Sequence, residues 1–450
     1  MSYLIVGMGK SGVAAAGLLQ EKKQDMLLFN SSDMDANEFY KEHPQLVGIP
    51  FYTGQLPQEE LEKVDIAVLS PGVPLDQPFV EELVKRGVEL SGEVELAFAF
   101  GKGEVAAITG TNGKTTTTAL TGEILKGYFE DVRVVGNIGI PYTSEAGSTT
   151  ENTRIAAEIS SFQLETIKTF HPKASAILNI TPDHLNRHHT MENYIQAKEA
   201  ITMNQDATDV TVLNYEDEVL RDFGKTLKTK VVYFSSVREL SEGLYYDEAQ
   251  KAIYLKEGGD TKKVIDVEDL NILGLHNYEN VMAAVALALA LGVPMDSIRE
   301  SLKKFEAVEH RIEYVCEKSG VKFYNDSKGT NPDAAIKAVG AMNRPTCLIG
   351  GGYDKGSTYD EWIESFGDKI KKLVLIGVTK EAIAACCDQH GFKNYEFASS
   401  LEEAIDICYQ NAQEGDAVLL SPACASWDMF PSYEVRGTQF KDYVRSLPEK

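Results

Sequence analysis

Long apolar runs are missing from this 450-residue chain. The longest, residues 281–293, is alanine-rich and too short to cross a bilayer. The amino terminus, MSYLIVGMGK, opens on a strand-like pattern without the basic-then-apolar segment of a secretion signal, so a cytoplasmic protein with no membrane insertion is expected. Cysteine is sparse and unpatterned. The residues at 316, 347, 386, 387, 408 and 424 form no CxxC pair, which favours reduced, buried thiols over disulfides or zinc. Basic side chains are in deficit: 44 Lys plus Arg against 68 Asp plus Glu leave a net charge of −24, which argues against nucleic acid or an anionic membrane as partner. An anionic ligand must therefore be held by a few local cations, and small-molecule substrates and a monomer are expected. There is no short-period repeat, coiled coil or low-complexity tract; residues 239–260 read as a hairpin with polar turns.

What is present is an alternation of β-branched runs with helical patterns in a chain too long for one core, hence an α/β protein of three domains. The first, 1–98, carries strand-like runs at 3–6, 26–29 and 66–69 with helices at 13–22 and 79–85, a Rossmann-like doubly wound pattern. The second, 99–306, continues from residue 105 through 154–159, 174–180 and 210–213 to a helix at 277–291, and reads as a parallel-sheet P-loop ATPase domain. The third, 307–450, has strands at 346–349, 373–376 and 417–420 and reads as another Rossmann-like α/β domain.

The stretch VAAITGTNGKTTTT places a strand, a glycine-bounded loop and a helix start in succession. Gly110, Thr111, Asn112 and Gly113 would let backbone N–H groups close on phosphate oxygens. Lys114 would neutralise the terminal phosphates of ATP, the Thr115 hydroxyl would ligate Mg²⁺, and Thr116 continues the helix N-terminus. Only two residues separate the glycines, shorter than the common GxxxxGK[ST] pattern. A second glycine motif, GxGxxG at Gly7, Gly9 and Gly12 with Lys10 and Ser11 inside it, follows the first strand-like run and suits a diphosphate. An NAD enzyme would want an acid after the second strand; here stand Asn30, Ser31 and Ser32, which favours another diphosphate ligand. Ser70 and Gly72 flank Pro71 in a turn after the next strand.

In the middle domain Glu158 ends a strand and His184 follows one, so both fall at the carboxyl edge of the sheet, where a carboxylate and an imidazole could hold a second Mg²⁺. His184 and His188 also have i, i+4 spacing, so a zinc pair is conceivable, although no HExxH or cysteine partner accompanies them. Lys198 has the pattern of a solvated helix lysine. The third domain opens on Glu309, His310 and Arg311, then YNDSKGTNPDA with Asp326, Lys328 and Thr330. Arg311 beside an acid and a lysine suits nucleotide and carboxylate recognition. Lys355 in GGGYDKG and the segment SPACASWDMF complete three loops at strand ends.

Taken together, GTNGKTT, AAEISSFQLE, NITPDHLNRH, YIQAKEAI, GLHNYENVMAA, EHRIE, NDSKGTNPDA, GGYDKG and SPACASWDMF resemble the Mur ligase family along the whole chain, and the shortened phosphate loop is a family trait. The resemblance implies a three-domain, ATP-dependent, amide-forming enzyme. Within the family, the N-terminal GxGxxG, DSKGTNP and SPACAS resemble the member that adds D-glutamate to UDP-N-acetylmuramoyl-L-alanine.

By that resemblance Lys114 and Thr115 bind the β- and γ-phosphates and Mg²⁺, while Glu158, His184 and a CO₂-derived carbamate on Lys198 hold the second of two Mg²⁺ ions. Asn137, Ser160 and Ser161 contact the muramoyl-alanine part; Asn277, Arg311 and Asp326 hold adenine, ribose and phosphates; Lys328, Thr330, Lys355, Ser426 and Tyr433 form the D-glutamate pocket. The UDP lies on the first domain, where this chain departs from the family's Asp-Thr-Arg with Asn30, Ser31 and Ser32.

The implied reaction passes through an acyl phosphate formed from the alanine carboxylate and ATP, then attack by the D-glutamate amine, with domain closure. A folylpolyglutamate-synthase-like ligase shares the loop and the chemistry but needs no N-terminal GxGxxG domain. An NAD-dependent oxidoreductase would use that motif but not GTNGKTT, and a non-catalytic nucleotide-regulated scaffold would need no paired metal ligands.

Overall fold

The computed structural model describes residues 2–137, 139–306, 309–353 and 356–450. The α/β expectation holds. The chain divides into two compact units, residues 1–266 with 279–302, and residues 267–278 with 303–450.

The first unit contains two sheets. Five strands, β1 (Ser2–Val6), β2 (Asp25–Asn30), β3 (Phe51–Thr53), β4 (Ile66–Leu69) and β5 (Glu89–Gly92), pair in parallel in the order β3-β2-β1-β4-β5. The order reverses between β1 and β4, where a doubly wound sheet opens its ligand crevice. The glycine loop leaves β1 at that point. The Ser70 hydroxyl after β4 donates to the Gly7 carbonyl at 2.7 Å, and a Cβ at Gly12 would lie 1.9 Å from the same oxygen, so helix Lys10–Glu21 can start here only with glycine.

The second sheet has nine strands: β6 (Glu104–Thr109), β7 (Val132–Gly136), β8 (Arg154–Glu158), β9 (Ala174–Ile177), β10 (Val210–Asn214), β11 (Lys230–Ser235), β12 (Gly243–Asp247), β13 (Ala252–Glu257) and β14 (Asp260–Asp266). Their order is β14-β13-β12-β11-β10-β9-β6-β8-β7, parallel from β7 across to β12 and antiparallel at β13 and β14, where the hairpin expected from the polar turns is found. β6 runs centrally between β8 and β9, and its residues Val105–Ile108 are fully or nearly fully buried, as a near-continuous apolar run should be in a covered parallel sheet.

Two acids near the end of the first sequence domain tie the sheets together. Glu93, 2% exposed, accepts the Thr143 amide at 2.6 Å and its hydroxyl at 2.9 Å. Glu95 accepts the amides of Lys168, Thr169 and Phe170 at 2.8, 2.8 and 3.0 Å. Buried carboxylates persist where hydrogen-bond donors replace the lost water.

The second unit is built on six strands, β15 (Glu313–Lys318), β16 (Val321–Asn325), β17 (Thr346–Gly350), β18 (Ile370–Leu375), β19 (Tyr395–Phe397) and β20 (Ala417–Leu420), ordered β15-β16-β20-β17-β18-β19. All pair in parallel except β15 with β16. The β15–β16 hairpin was not legible from pattern, because its polar edge strand, EYVCEK, has no sustained apolar face.

Candidate active site

The loop after β6 closes by its own contacts. Gly113 has φ +86°, and a Cβ there would meet the Asn280 Oδ1 at 2.4 Å, so glycine is required at the entrance to helix Lys114–Lys126. Asn112 and Asn179 exchange hydrogen bonds, the Asn112 amide to Asn179 Oδ1 at 2.8 Å and Asn179 Nδ2 to the Asn112 carbonyl at 3.1 Å. The Thr111 hydroxyl accepts the Thr181 amide at 3.0 Å and lies 3.0 Å from the Tyr194 hydroxyl. Thr115 is half-buried and Thr116 is buried in the first turn of the helix.

Two lysines far apart in sequence meet at one carbonyl. Lys114 Nζ donates to Gly110 O at 2.8 Å and to Thr111 O at 2.9 Å, and Lys198 Nζ donates to the same Gly110 O at 2.8 Å. Lys198, the residue whose local pattern suggested a solvated lysine, is 2% exposed and sits 4.7 Å over the Tyr194 ring. Burial first, then the Lys114 charge, push its pKa down to about 7.

Register places Glu158 beside the loop, because β8 pairs with β6 through Glu158 and Ile108. Glu158 is 2% exposed; one oxygen accepts Asn137 Nδ2 at 3.0 Å, and the other is buried with no hydrogen-bond partner among the described residues. A desolvated, unsatisfied carboxylate oxygen is costly unless a cation faces it.

The two histidines expected nearby behave differently. His184, with φ +52°, is half-exposed, with Nε2 3.5 Å from Asp183 and its ring 4.9 Å from Phe162. His188 is 5% exposed, with Nε2 2.9 Å from the Ser161 hydroxyl and Nδ1 3.4 Å from Glu165. Both nitrogens of His188 are thus engaged within the protein rather than paired with His184 on a zinc ion. Burial, reinforced by Arg187, drives its pKa down to about 4, so the ring is neutral. Ser160 caps the short helix Ser161–Leu164 through a capping box with Gln163, and Arg187 bridges Glu165 at 2.6 Å to the Val73 carbonyl at 3.0 Å. The segment after β4 is thereby joined to the surroundings of Ser161.

At the N-terminal glycine loop, Gly9, Lys10, Ser31 and Gly72 are exposed and Ser11 and Ser70 half-buried. Asn30 accepts the Met8 amide at 3.2 Å and donates to Ser32 O and Oγ at 3.0 and 2.8 Å. It holds the loop's shape at the place where an NAD enzyme would present an acid.

In the second unit Asp326, at the end of β16, is 4% exposed, accepts the Ser421 hydroxyl at 2.7 Å and the Ile312 amide at 3.3 Å, and is pushed up to about 7 by burial, partly offset by Ser421 and Arg311. Lys328 and Thr330 are half-buried in the turn that follows, and Lys328 Nζ lies 5.9 Å from the Tyr433 ring. Ser426 is 2% exposed and its hydroxyl is buried without a partner among the described residues. Asn277 donates to the Leu273 carbonyl at 2.7 Å, and Arg311 is half-buried. Lys355 lies outside the described residues.

The sequence reading overlooked Arg436. It is 1% exposed and donates to Ser327 Oγ at 2.9 Å, Ser327 O at 2.8 Å and the carbonyls of Cys424 and Ala425. It therefore fastens the NDSKGT and SPACAS segments to each other; its surroundings in sequence, YEVRGTQF, look like any surface helix. Tyr194 and Asn179 were overlooked too, although both lie inside motifs that were singled out.

Comparison with known proteins gives three family matches: "Mur ligase MurD-like, N-terminal domain" over residues 1–92, "Mur ligase middle domain" over 108–288 and "Mur ligase, glutamate ligase domain" over 310–424. The UDP-N-acetylmuramoylalanine--D-glutamate ligase of Lachnoclostridium phytofermentans is 53% identical over 99% of this chain and 98% of its own. The protein of the same name from Lachnospira eligens is 52% identical over 99% of both. Among solved structures, a UDP-N-acetylmuramate-alanine ligase from Thermotoga maritima superposes with TM-score 0.59 at 21% identity, covering 99% of each chain. A MurF ligase from the same organism, in complex with ADP, gives TM-score 0.57 at 16% identity over 99% of this chain and 95% of that one. These two likenesses speak to the fold.

Proposed function

The chain belongs to the Mur ligase family and is an ATP-dependent ligase that adds D-glutamate to UDP-N-acetylmuramoyl-L-alanine in peptidoglycan precursor synthesis, and we propose that the groups around β6, β8 and β9 carry its phosphoryl transfer while those after β16, β17 and β20 hold the amino acid. The observation that supports this assignment most is the meeting of Lys114 and Lys198 on the Gly110 carbonyl, one strand away from the half-unpaired carboxylate of Glu158.

Mur ligases use ATP and Mg²⁺. The donors here fit that ion: Glu158 offers a buried, unengaged carboxylate oxygen and Thr115 a hydroxyl at the helix start, both hard oxygen ligands. When bound, Mg²⁺ supplies charge neutralisation to the transferred phosphoryl group. The chain's own groups do the rest. Lys114 turns from its loop carbonyls to the terminal phosphates, and the amides at the start of helix Lys114–Lys126 cradle them. Asn137, Ser160 and Ser161 hold the alanine carboxylate, which attacks the γ-phosphorus; the bond to ADP breaks and an acyl phosphate forms. His188, neutral and bonded to Ser161, keeps that hydroxyl in place.

The D-glutamate amine then attacks the acyl carbon, loses a proton and expels phosphate. Lys328, Lys355, Thr330 and the unpartnered hydroxyl of Ser426 receive its carboxylates, with Tyr433 beside them. Asn277, Arg311 and Asp326 serve the adenine, ribose and phosphates. UDP rests on Gly7, Gly9, Lys10, Ser11 and Gly12, near Asn30, Ser31, Ser70 and Gly72.

Lys198 is carbamylated in this reading. With its pKa at about 7, much of it is neutral amine near physiological pH; the lone pair attacks CO₂, an N–C bond forms, one proton leaves to water, and the product is an anionic oxygen ligand in place of a repelling ammonium. His184 joins Glu158 and this carbamate at the second ion. A Lys198→Ala variant should be inactive and regain activity with a short-chain carboxylic acid; full activity without the acid would discard the carbamate.

The domains divide at 98/99 and 306/307, and the enzyme works as a cytoplasmic monomer. Among the described residues no helix is long and apolar enough to cross a membrane. The decisive assay is release of ADP that requires both D-glutamate and UDP-N-acetylmuramoyl-L-alanine. Equal stimulation by another amino acid would overturn the assignment within the family.

A further inference from the structure

Outside the groups already described, the second unit brings three ligating atoms of different chemistry together. A carboxylate oxygen of Asp360, the Cys386 Sγ and a ring nitrogen of His390 lie within 4.8 Å of one another. Asp360 is the first residue of helix Asp360–Glu364, while Cys386 and His390 stand one turn apart at the end of helix Lys380–Gln389, where the His390 amide bonds the Cys386 carbonyl at 3.1 Å. The i, i+4 spacing sends both side chains from one face. The imidazole is held at both ends: Nε2 lies 3.0 Å from Asp360 Oδ1, and Nδ1 lies 3.4 Å from Glu364 Oε1. The neighbouring Cys387 is fully buried in the core and takes no part.

Two carboxylates on one histidine could be an ion pair and nothing more. The Cys386 thiol, hydrogen-bonded to the Asp360 carboxylate, brings a third ligating atom of a different kind to the same point, and sulfur beside imidazole and carboxylate is the donor set that a borderline-soft metal ion takes. A histidine that ligates through Nε2 ordinarily gives its Nδ1 proton to a carboxylate, which is where Glu364 stands. An entry path exists, since Asp360 and Cys386 line an open cavity of about 280 Å³ together with Thr358, Thr379 and Gln389.

We propose that Asp360, Cys386 and His390 form a binding site for a zinc-class divalent ion, with Glu364 orienting His390 and the fourth position open to water from the cavity. Sulfur and imidazole with one carboxylate suit a borderline-soft tetrahedral ion and not Mg²⁺, so the site is separate from the metal chemistry of ATP. On binding, the thiol proton passes to solvent as the metal–sulfur bond forms, and the ring proton resides on Nδ1, shared with Glu364.

The test uses metal-free, full-length protein titrated with Co²⁺ in the absence of ATP and Mg²⁺. One equivalent should bind with a thiolate-to-cobalt charge-transfer band in the near ultraviolet and intensified visible bands of four-coordinate cobalt, and added Zn²⁺ should abolish them. Cys386→Ser should lose the charge-transfer band, Cys316→Ser should keep it, and Glu364→Gln should keep it while binding roughly 10- to 100-fold more weakly. His390→Ala removes a side chain that is 25% exposed, so its fold should survive, and cobalt affinity should fall at least about tenfold. No charge-transfer band in the wild type, a band that persists in Cys386→Ser, or unchanged affinity in His390→Ala overturns the site; unchanged affinity in Glu364→Gln overturns the role given to Glu364.

Discussion

Lys198 in the first unit and Asp326 in the second are near mirror images. Each is almost fully buried, at 2% and 4% exposure, and each is driven to a pKa of about 7 by loss of water, the lysine from above and the carboxyl from below. Their neighbours differ. Lys198 shares the Gly110 carbonyl with a second cation, Lys114, which lowers it further; Asp326 has a hydroxyl, an amide and the nearby Arg311, all of which favour its charged form. The comparison teaches that the first unit holds an excess of positive charge on its loop, suited to an incoming polyphosphate, while the second holds a carboxyl that gains charge once a cation or hydrogen-bond donor arrives.

The bluntest way to break this comparison is to remove the loop's own cation. Lys114→Ala should lower kcat by roughly 10³-fold with the far-ultraviolet circular dichroism unchanged, since the residue meets charge that develops in the transition state; wild-type turnover would remove the phosphate-loop role. Stability against pH sharpens it. For Lys198 the unfolded chain binds the extra proton between about 7 and 10.5, so stability rises with pH across that window. For Asp326 the folded chain binds the extra proton between 3.8 and about 7, so stability falls as pH rises there. Lys198→Met should flatten the alkaline slope and Asp326→Asn the acid one, each by up to about 4 kcal/mol near neutrality. Urea-unfolding midpoints across the pH range would show it, and unchanged slopes in both variants would mean that burial does not dominate these groups.

A smaller effect is expected from His188→Asn, which should lower kcat about tenfold through a displaced Ser161 while leaving the KM for ATP unchanged; a rise in the KM for ATP alone would place His188 elsewhere in the mechanism. The smallest serves as a calibration. Lys393→Met breaks a 2.8 Å ion pair with Asp388 whose side chains are 67% and 48% exposed, and the urea-unfolding midpoint should stay at its wild-type value, in contrast to the buried groups.

Much of this was readable along the chain. The glycine loop before helix Lys114–Lys126 was legible because its glycines, lysine and threonine are contiguous and each answers a local geometric demand, such as the positive φ at Gly113. Glu158 was placed by its position at a strand end, but only the β6–β8 register sets it beside the loop and leaves one of its oxygens unpaired. Lys198 looked like a solvated helix residue by pattern, and only the resemblance pointed to it; packing against Tyr194 and Gly110 is what desolvates it. Arg436 had no signal at all, since Ser327 lies 109 residues back and its other partners are main-chain carbonyls, which leave no side-chain pattern.

The amino-acid sequence by itself determined the α/β class, the glycine loop at the start of helix Lys114–Lys126 and the family, because periodicity and short motifs are properties of neighbouring residues. Tertiary structure alone decided which ionisable groups lose water and which share a partner: Lys198 with Lys114, Asp326 with Ser421, His188 with Ser161, Asp360 with Cys386 and His390. Desolvation and short-range electrostatics depend on distances between residues tens of positions apart, and those distances exist only once the chain has folded.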